Sequence, residues 1–248
     1  MTAGLQPEIG AGLRAFLVGV ADDELLTGHV LTSVAGWGPE LELNIAMSSI
    51  GQDEIGHARR LYEFLLGDRA EVERFVYERP AAEFRATPLT RTYPSRWESV
   101  LVRSYLYETA DAARTAALAD SGRPDVGALF SEMVHEERYH LDFWATWLRS
   151  TVSKGAEGRQ RVQQALDEVW PLAQASFGPF VPEDDEAGLG LAAGTLSGAY
   201  RGWAADVATV TAELGLELRD DGRATLPDAL DAMLDEMRSV YRTAPGSW

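Results

Sequence analysis

Two short segments carry the same spacing of an acid and an imidazole, Glu54-Ile55-Gly56-His57 and Glu137-Arg138-Tyr139-His140. At a separation of three, both side chains of a pair lie on one helical face about one turn apart, so a carboxylate oxygen and a ring nitrogen can reach the same cation. The motif alone is weak, because 22 of the 248 residues are Glu and Glu132 with His135 forms a third instance. The surrounding pattern separates the three. Ile50, Leu61 and Leu65 share the face of the first pair, and Phe130, Met133, Trp144 and Leu148 share that of the second. A carboxylate buried on such a stripe without a counter-charge is costly or becomes protonated, so these acids call for a cation. Glu132 and His135 instead share a more polar side with Ala128, Tyr139 and Asp142, and are discounted.

Two further acids fall at the same height. Gly36-Trp37-Gly38-Pro39 breaks a helix expected over 7–35 from one that ends near Leu66, and Ser121-Gly122-Arg123-Pro124 separates a helix starting after Pro94, with Ser95 as its cap, from one over 125–150. Across each break the helices are antiparallel, so residues equally distant from the turn face each other. Glu54 lies 16 residues beyond Gly38, roughly 24 Å along a helix, and Glu24 lies 14 before it. Around Gly122, Glu108 lies 14 residues before and Glu137 15 after. Glu24 interrupts the stripe Leu17, Val20, Leu31, and Glu108 interrupts Leu101, Tyr105, Ala112. The chain therefore repeats a pattern of Glu, about thirty residues, then Glu-x-x-His.

The elements that must position these groups are all helical, since apolar residues recur at spacings of three and four and no run alternates convincingly. A short loop, a long one holding Pro80, Pro88 and Pro94 with a small helix over 71–77, and another short loop spell a four-helix bundle. Helices over 158–177, 192–213 and after Pro227, with a Gly/Pro/acid linker at 178–190, form an appended layer. The expectation is a single domain over 1–248, with the core bundle at about 7–150 and the layer at about 155–248.

Four Glu and two His in a bundle core make the donor set of a carboxylate-bridged di-iron or di-manganese centre. Four carboxylates balance two divalent cations. The absence of cysteine removes thiolate sites, and redox use of an N and O donor set favours Fe, with Mn and Zn as alternatives. Two ions about 3.5–4 Å apart can take O2 between them. Asp53 and Glu136, each just before a ligand Glu, are candidates to accept the outer N–H of a ligand histidine. With neither Cys nor a Gly-rich dinucleotide motif, electrons must come from a separate reductase. Asp22 and Asp23 are expected to be solvated or to precede a kink, His29 and His135 to be ordinary polar residues, and Trp144, Trp147, Trp170, Trp203, Tyr105 and Tyr107 to be core. A net charge of −17 with no basic cluster excludes nucleic acid and anionic lipid as partners, and the apolar stretch from Leu13 to Val20, interrupted by Arg14, is neither signal nor membrane span. A cytoplasmic protein is the resulting expectation.

Several segments are similar to one known family: Pro39-Glu40-Leu41-Glu42, Gln52 through Arg59, Glu137 through Leu141, Gln163-Gln164-Ala165-Leu166-Asp167-Glu168-Val169-Trp170, Met233 through Met237, and the ending Pro245-Gly246-Ser247-Trp248. They resemble the C subunit family of the ring-1,2-phenylacetyl-CoA epoxidase complex over the whole length. The resemblance implies a ferritin-like subunit of a bacterial multicomponent oxygenase in phenylacetate catabolism, acting with a catalytic A subunit, a small B subunit and a flavin/iron–sulfur reductase in a homo- or hetero-oligomer. It implies an aromatic acyl-CoA substrate, for which Arg59, Arg60, Arg103 and Arg138 are available cations. It also implies a structural role, because well-known members of the family have largely lost their metal ligands. This chain departs from them in carrying a complete set: Glu24, Glu54, His57, Glu108, Glu137 and His140. The expectation is a di-iron monooxygenase component that uses O2, with a structural subunit supporting a separate catalytic A subunit as the alternative.

Overall fold

The computed structural model describes residues 9–178, 186–219 and 226–243. Among these the chain is all-α, with one isolated bridge between Thr92 and Asp228. The helices are α1 (Ala11–Ser33), α2 (Leu41–Leu66), α3 (Arg69–Glu78), α4 (Trp97–Ala119), α5 (Pro124–Ser131), α6 (Val134–Ser153), α7 (Ala156–Ala173), α8 (Thr195–Glu213) and α9 (Leu230–Thr243). The ending Pro245–Trp248 and most of the expected linker at 178–190 lie outside the described residues. The chain divides into two compact units, Met1–Ala86 with Thr90–Thr92 and Asp228–Trp248, and Thr87–Leu89 with Tyr93–Pro227.

The first unit is built on the hairpin of α1 and α2. Helix α1 is apolar on every side, with Phe16, Leu17, Val20, Ala21, Leu25, Leu26, Val30 and Leu31 all buried, the pattern of a helix enclosed by its neighbours. The turn after it is fixed by Asn44, whose Oδ1 accepts from the N–H groups of Gly36 and Gly38 at 3.0 and 2.9 Å while its Nδ2 donates to Gly38 O and Glu40 O. Further along, the two backbones approach closely at Gly28 and Gly51. A Cβ on Gly28 would lie 2.6 Å from Gly51 O and 2.7 Å from Ile55 Cγ1, so only glycine permits this crossing. Helix α2 ends at Gly67 in the left-handed region, and Asp68 caps α3 through the N–H groups of Ala70 and Glu71. The final helix, α9, belongs to this unit. Arg238 Nε donates to Tyr77 O at 2.9 Å, Tyr241 stacks on Tyr77 with centroids 4.6 Å apart, and Ala229 N–H donates to Arg91 O.

The second unit is built on α4 and the pair α5 and α6. The helix expected over 125–150 is broken at Glu132 and Met133, where Met133 N–H bonds to Phe130 O and the chain tightens into a three-residue turn. No Gly or Pro marks the break in sequence. The apolar stripe nevertheless runs through it, because Val126, Phe130, Met133, Glu137, His140, Trp144 and Leu148 are all buried. At the start of α4, Arg96 occupies the cap position without a side-chain capping bond, in place of the expected Ser95. Helices α7 and α8 pack on α4, with Trp203 Nε1 donating to Thr109 Oγ1 at 3.0 Å and the Trp203 ring 5.7 Å from that of Trp170.

Candidate metal centre

In the first unit the α1–α2 hairpin brings together Glu24, Glu54 and His57, each at most 1% exposed. His57 Nδ1 lies 3.8 Å from Glu24 Oε2, and one donor atom from each of the three residues lies within 4.8 Å of the others. The Gly28–Gly51 crossing is one turn from both acids, so the closeness of the two helices is set beside the groups that need it. Glu54 and His57 share one face of α2, where Ile50, Leu61 and Leu65 are also buried.

In the second unit α4 and α6 bring together Glu108, Glu137 and His140, again at most 1% exposed. His140 Nδ1 lies 3.3 Å from Glu108 Oε2 and 3.8 Å from Glu137 Oε2, and the three residues meet the same 4.8 Å condition. Neither oxygen of Glu108 takes a hydrogen bond among the described residues. A buried carboxylate in that state is satisfied by a cation at its oxygens, and carboxylate with imidazole suits a first-row divalent metal. Each triad carries two carboxylates, so one divalent ion per triad neutralises it. The residues present fit the metal that their pattern implies.

The other candidates separate clearly. Glu132 and His135 are exposed or nearly so, away from the buried triads. Asp53 and Glu136 lie on the helical turns that carry Glu54 and Glu137. His29 Nε2 lies 3.3 Å from Glu236 of α9. Of the suggested CoA contacts, Arg103 is 1% exposed, Arg59 and Arg60 are half-buried with Arg59 tied to Glu63 at 2.8 Å, and Arg138 is exposed. Trp144, Trp170, Trp203, Tyr105 and Tyr107 are buried as expected, but Trp147 is only half-buried.

Asp22 and Asp23 correct the expectation of solvated residues, being 0% and 1% exposed. Asp22 accepts from Tyr62 OH, from Arg79 and, at 2.6 Å, from the N–H of Arg85. The Arg79 guanidinium lies 3.6 Å from the Phe84 ring centroid and 4.2 Å from that of Phe75. Burial pushes the Asp22 carboxyl up from its ordinary range, and Arg79, Tyr62 and the Arg85 N–H pull it back. Asp23 accepts from Thr90 Oγ1 at 2.6 Å. In the second unit the corresponding network is Asp111 with Arg114 and Thr115, and Arg114 also donates to Ser176 O at 3.0 Å. The available sequence signal was the all-round apolar character of α1, which buries whatever lies between its hydrophobic residues.

An all-α chain with two buried Glu, Glu-x-x-His triads defines a class of carboxylate-rich helical proteins. The profile of the phenylacetic acid catabolic protein family matches residues 6–248, and the chain belongs to that family. It is 26% identical over 247 residues to the C subunit of 1,2-phenylacetyl-CoA epoxidase from Escherichia coli (strain K12), an alignment covering 94% of this chain and 98% of the relative.

Proposed function

We propose that the two triads share one dinuclear centre and that the chain is the oxygen-activating component of a multisubunit oxygenase acting on an aromatic acyl-CoA in phenylacetate catabolism. The observation that carries this reading is the repeat of one buried ligand pattern in two units: Glu24 with Glu54 and His57, and Glu108 with Glu137 and His140. When bound there, two iron ions supply the activation of O2, with electrons from a separate reductase. The residues of the chain hold, orient and enclose. Glu24, Glu54, Glu108 and Glu137 supply the negative charge, and His57 and His140 the neutral nitrogen donors. Asp53 and Glu136 are assigned to the outer N–H groups of the histidines, fixing which ring nitrogen faces inward. Leu61, Leu65, Trp144 and Leu148 along the ligand stripes keep bulk water from the carboxylates. No helix among the described residues is long and apolar enough to cross a membrane.

Metal analysis of the full chain expressed with ample iron tests the reading. About two irons per chain, lost together in Glu54→Gln or Glu137→Gln, are expected. A purified complex should then consume O2 on addition of reductase and phenylacetyl-CoA. The similarity to a C subunit favours a second reading, in which the chain is structural and supports a separate catalytic A subunit. Under that reading the chain takes up no iron and Glu54→Gln leaves the activity of the assembled complex unchanged.

A further inference from the structure

The aromatic residues of α6 are not all core. Trp144 is fully buried, whereas Tyr139 is 57% exposed and Phe143 and Trp147, one and two turns later, are half-buried. The three outer rings form a ladder on one face, with centroids 6.4 Å apart from Tyr139 to Phe143 and 6.5 Å from Phe143 to Trp147. The ladder meets the interior at two points. Tyr139 lies edge-on to the His140 ring with centroids 6.2 Å apart, and Phe143 lies 5.1 Å from Trp144, whose ring is 6.5 Å from that of Trp97. Steps of this size allow rapid electron transfer between rings. In a chain without cysteine, Tyr and Trp are the side chains that give up an electron most readily. Lys154, the single lysine, sits with its ammonium 6.0 Å over Trp147. A positive charge there opposes an oxidised indole and leaves Tyr139, open to water, as the favoured end point.

We propose that Tyr139, with Trp144 behind it, is an oxidation relay that discharges the centre when O2 reacts there without substrate. This rests on the dinuclear reading above. Tyr139 gives one electron to the oxidising equivalent left beside His140, and its phenolic proton passes to bulk water. A small-molecule thiol in solution then returns a hydrogen atom to Tyr139, and two such events join two thiols as a disulfide. Two thiols supply two electrons and two protons, the reduced irons the other two electrons and bulk water the other two protons, so that O2 leaves as two molecules of water and the thiols as one disulfide.

The test uses the full chain, reconstituted with iron, counted for metal, reduced anaerobically and mixed with O2 in the absence of acyl-CoA. Freeze-quenched samples are examined for an organic radical by electron paramagnetic resonance, and oxidised residues are located by peptide mass mapping. The wild type is expected to give a tyrosyl signal with oxidation concentrated at Tyr139. Tyr139→Phe should lose that signal and move oxidation inward to Trp144 and Trp97, with iron content unchanged, while Trp147→Phe keeps it. Iron bound with the same radical and the same map in Tyr139→Phe overturns the relay and leaves the centre standing. A chain that takes up no iron overturns the centre and the relay with it.

Discussion

Each unit buries acids of two kinds. Asp22 and Asp111 meet guanidinium groups, Arg79 and Arg114, supplied by the chain itself. Glu24, Glu108 and Glu137 face imidazoles at 3.3–3.8 Å, a partner that carries charge only when protonated. The first kind is neutralised by the act of folding. On the reading proposed above the second is neutralised by a cation from outside, and the difference separates acids that hold the helices together from acids that the helices hold in place. The exposure of the two kinds is nearly identical, so burial alone would not have told them apart.

The comparison breaks most severely at Arg79. Arg79→Met leaves the Asp22 carboxylate buried without its guanidinium, and the expected loss is about 3–5 kcal/mol in urea unfolding, unrelieved by added iron. A loss below about 1 kcal/mol would mean that Tyr62 and the Arg85 N–H suffice for Asp22. Ferrous iron should act on the other kind of acid. At a hundredfold excess over its dissociation constant it is expected to stabilise the wild type by about 2.7 kcal/mol. Glu108→Gln should abolish much of that gain while its metal-free form stays within about 1 kcal/mol of the parent, because the substitution removes a buried charge and keeps the shape. A metal-free Glu108→Gln that is strongly destabilised would place Glu108 with the chain-neutralised acids.

Gly28→Ala probes how the helices hold the first triad. The added methyl meets Gly51 O, and the expected cost is about 1–3 kcal/mol, with iron lost from the first triad before the second in a competition with chelator. Equal loss from both would detach the crossing from the ligands. The smallest effect comes from a buried group that stays neutral. Burial pushes the Tyr105 phenol up to about 12, whereas an unfolded chain releases that proton near 10. The folded state therefore binds more protons between pH 10 and 12, and stability falls as pH rises through that window, by up to about 1.4 kcal/mol per pH unit for this residue. Tyr105→Phe should flatten that part of an alkaline unfolding curve.

Much of the ligand pattern was legible because it depends on local spacing. Glu54 and His57 are three residues apart among Ile50, Leu61 and Leu65, and a helix turns that spacing directly into one face. Glu24 and Glu108 were legible through their distance from a turn, which an antiparallel hairpin converts into height. The roles of Asp22 and Asp23 were not legible. Their partners lie 57 and 67 residues away, in Arg79 and Thr90 of a proline-rich stretch whose path no periodicity describes. The break before α6 was hidden for a different reason: no Gly or Pro marks it, and the buried stripe passes through unaltered. Helical spacing with other apolar residues puts Trp147 in the core, whereas it stands half-buried on the outer face of α6 beside Phe143.

The first unit has a consequence for biosynthesis, because it is discontinuous in the chain. Its hairpin leaves the ribosome before the second unit is made, yet the helix that packs against α1 and α3 is made only after that unit. The second unit can therefore complete its folding while the first still exposes the surface that receives Met233, Leu234 and Met237. A premature stop before residue 230 would spare every proposed ligand and still release a product with that surface bare, a target for chaperones and proteases instead of a working component.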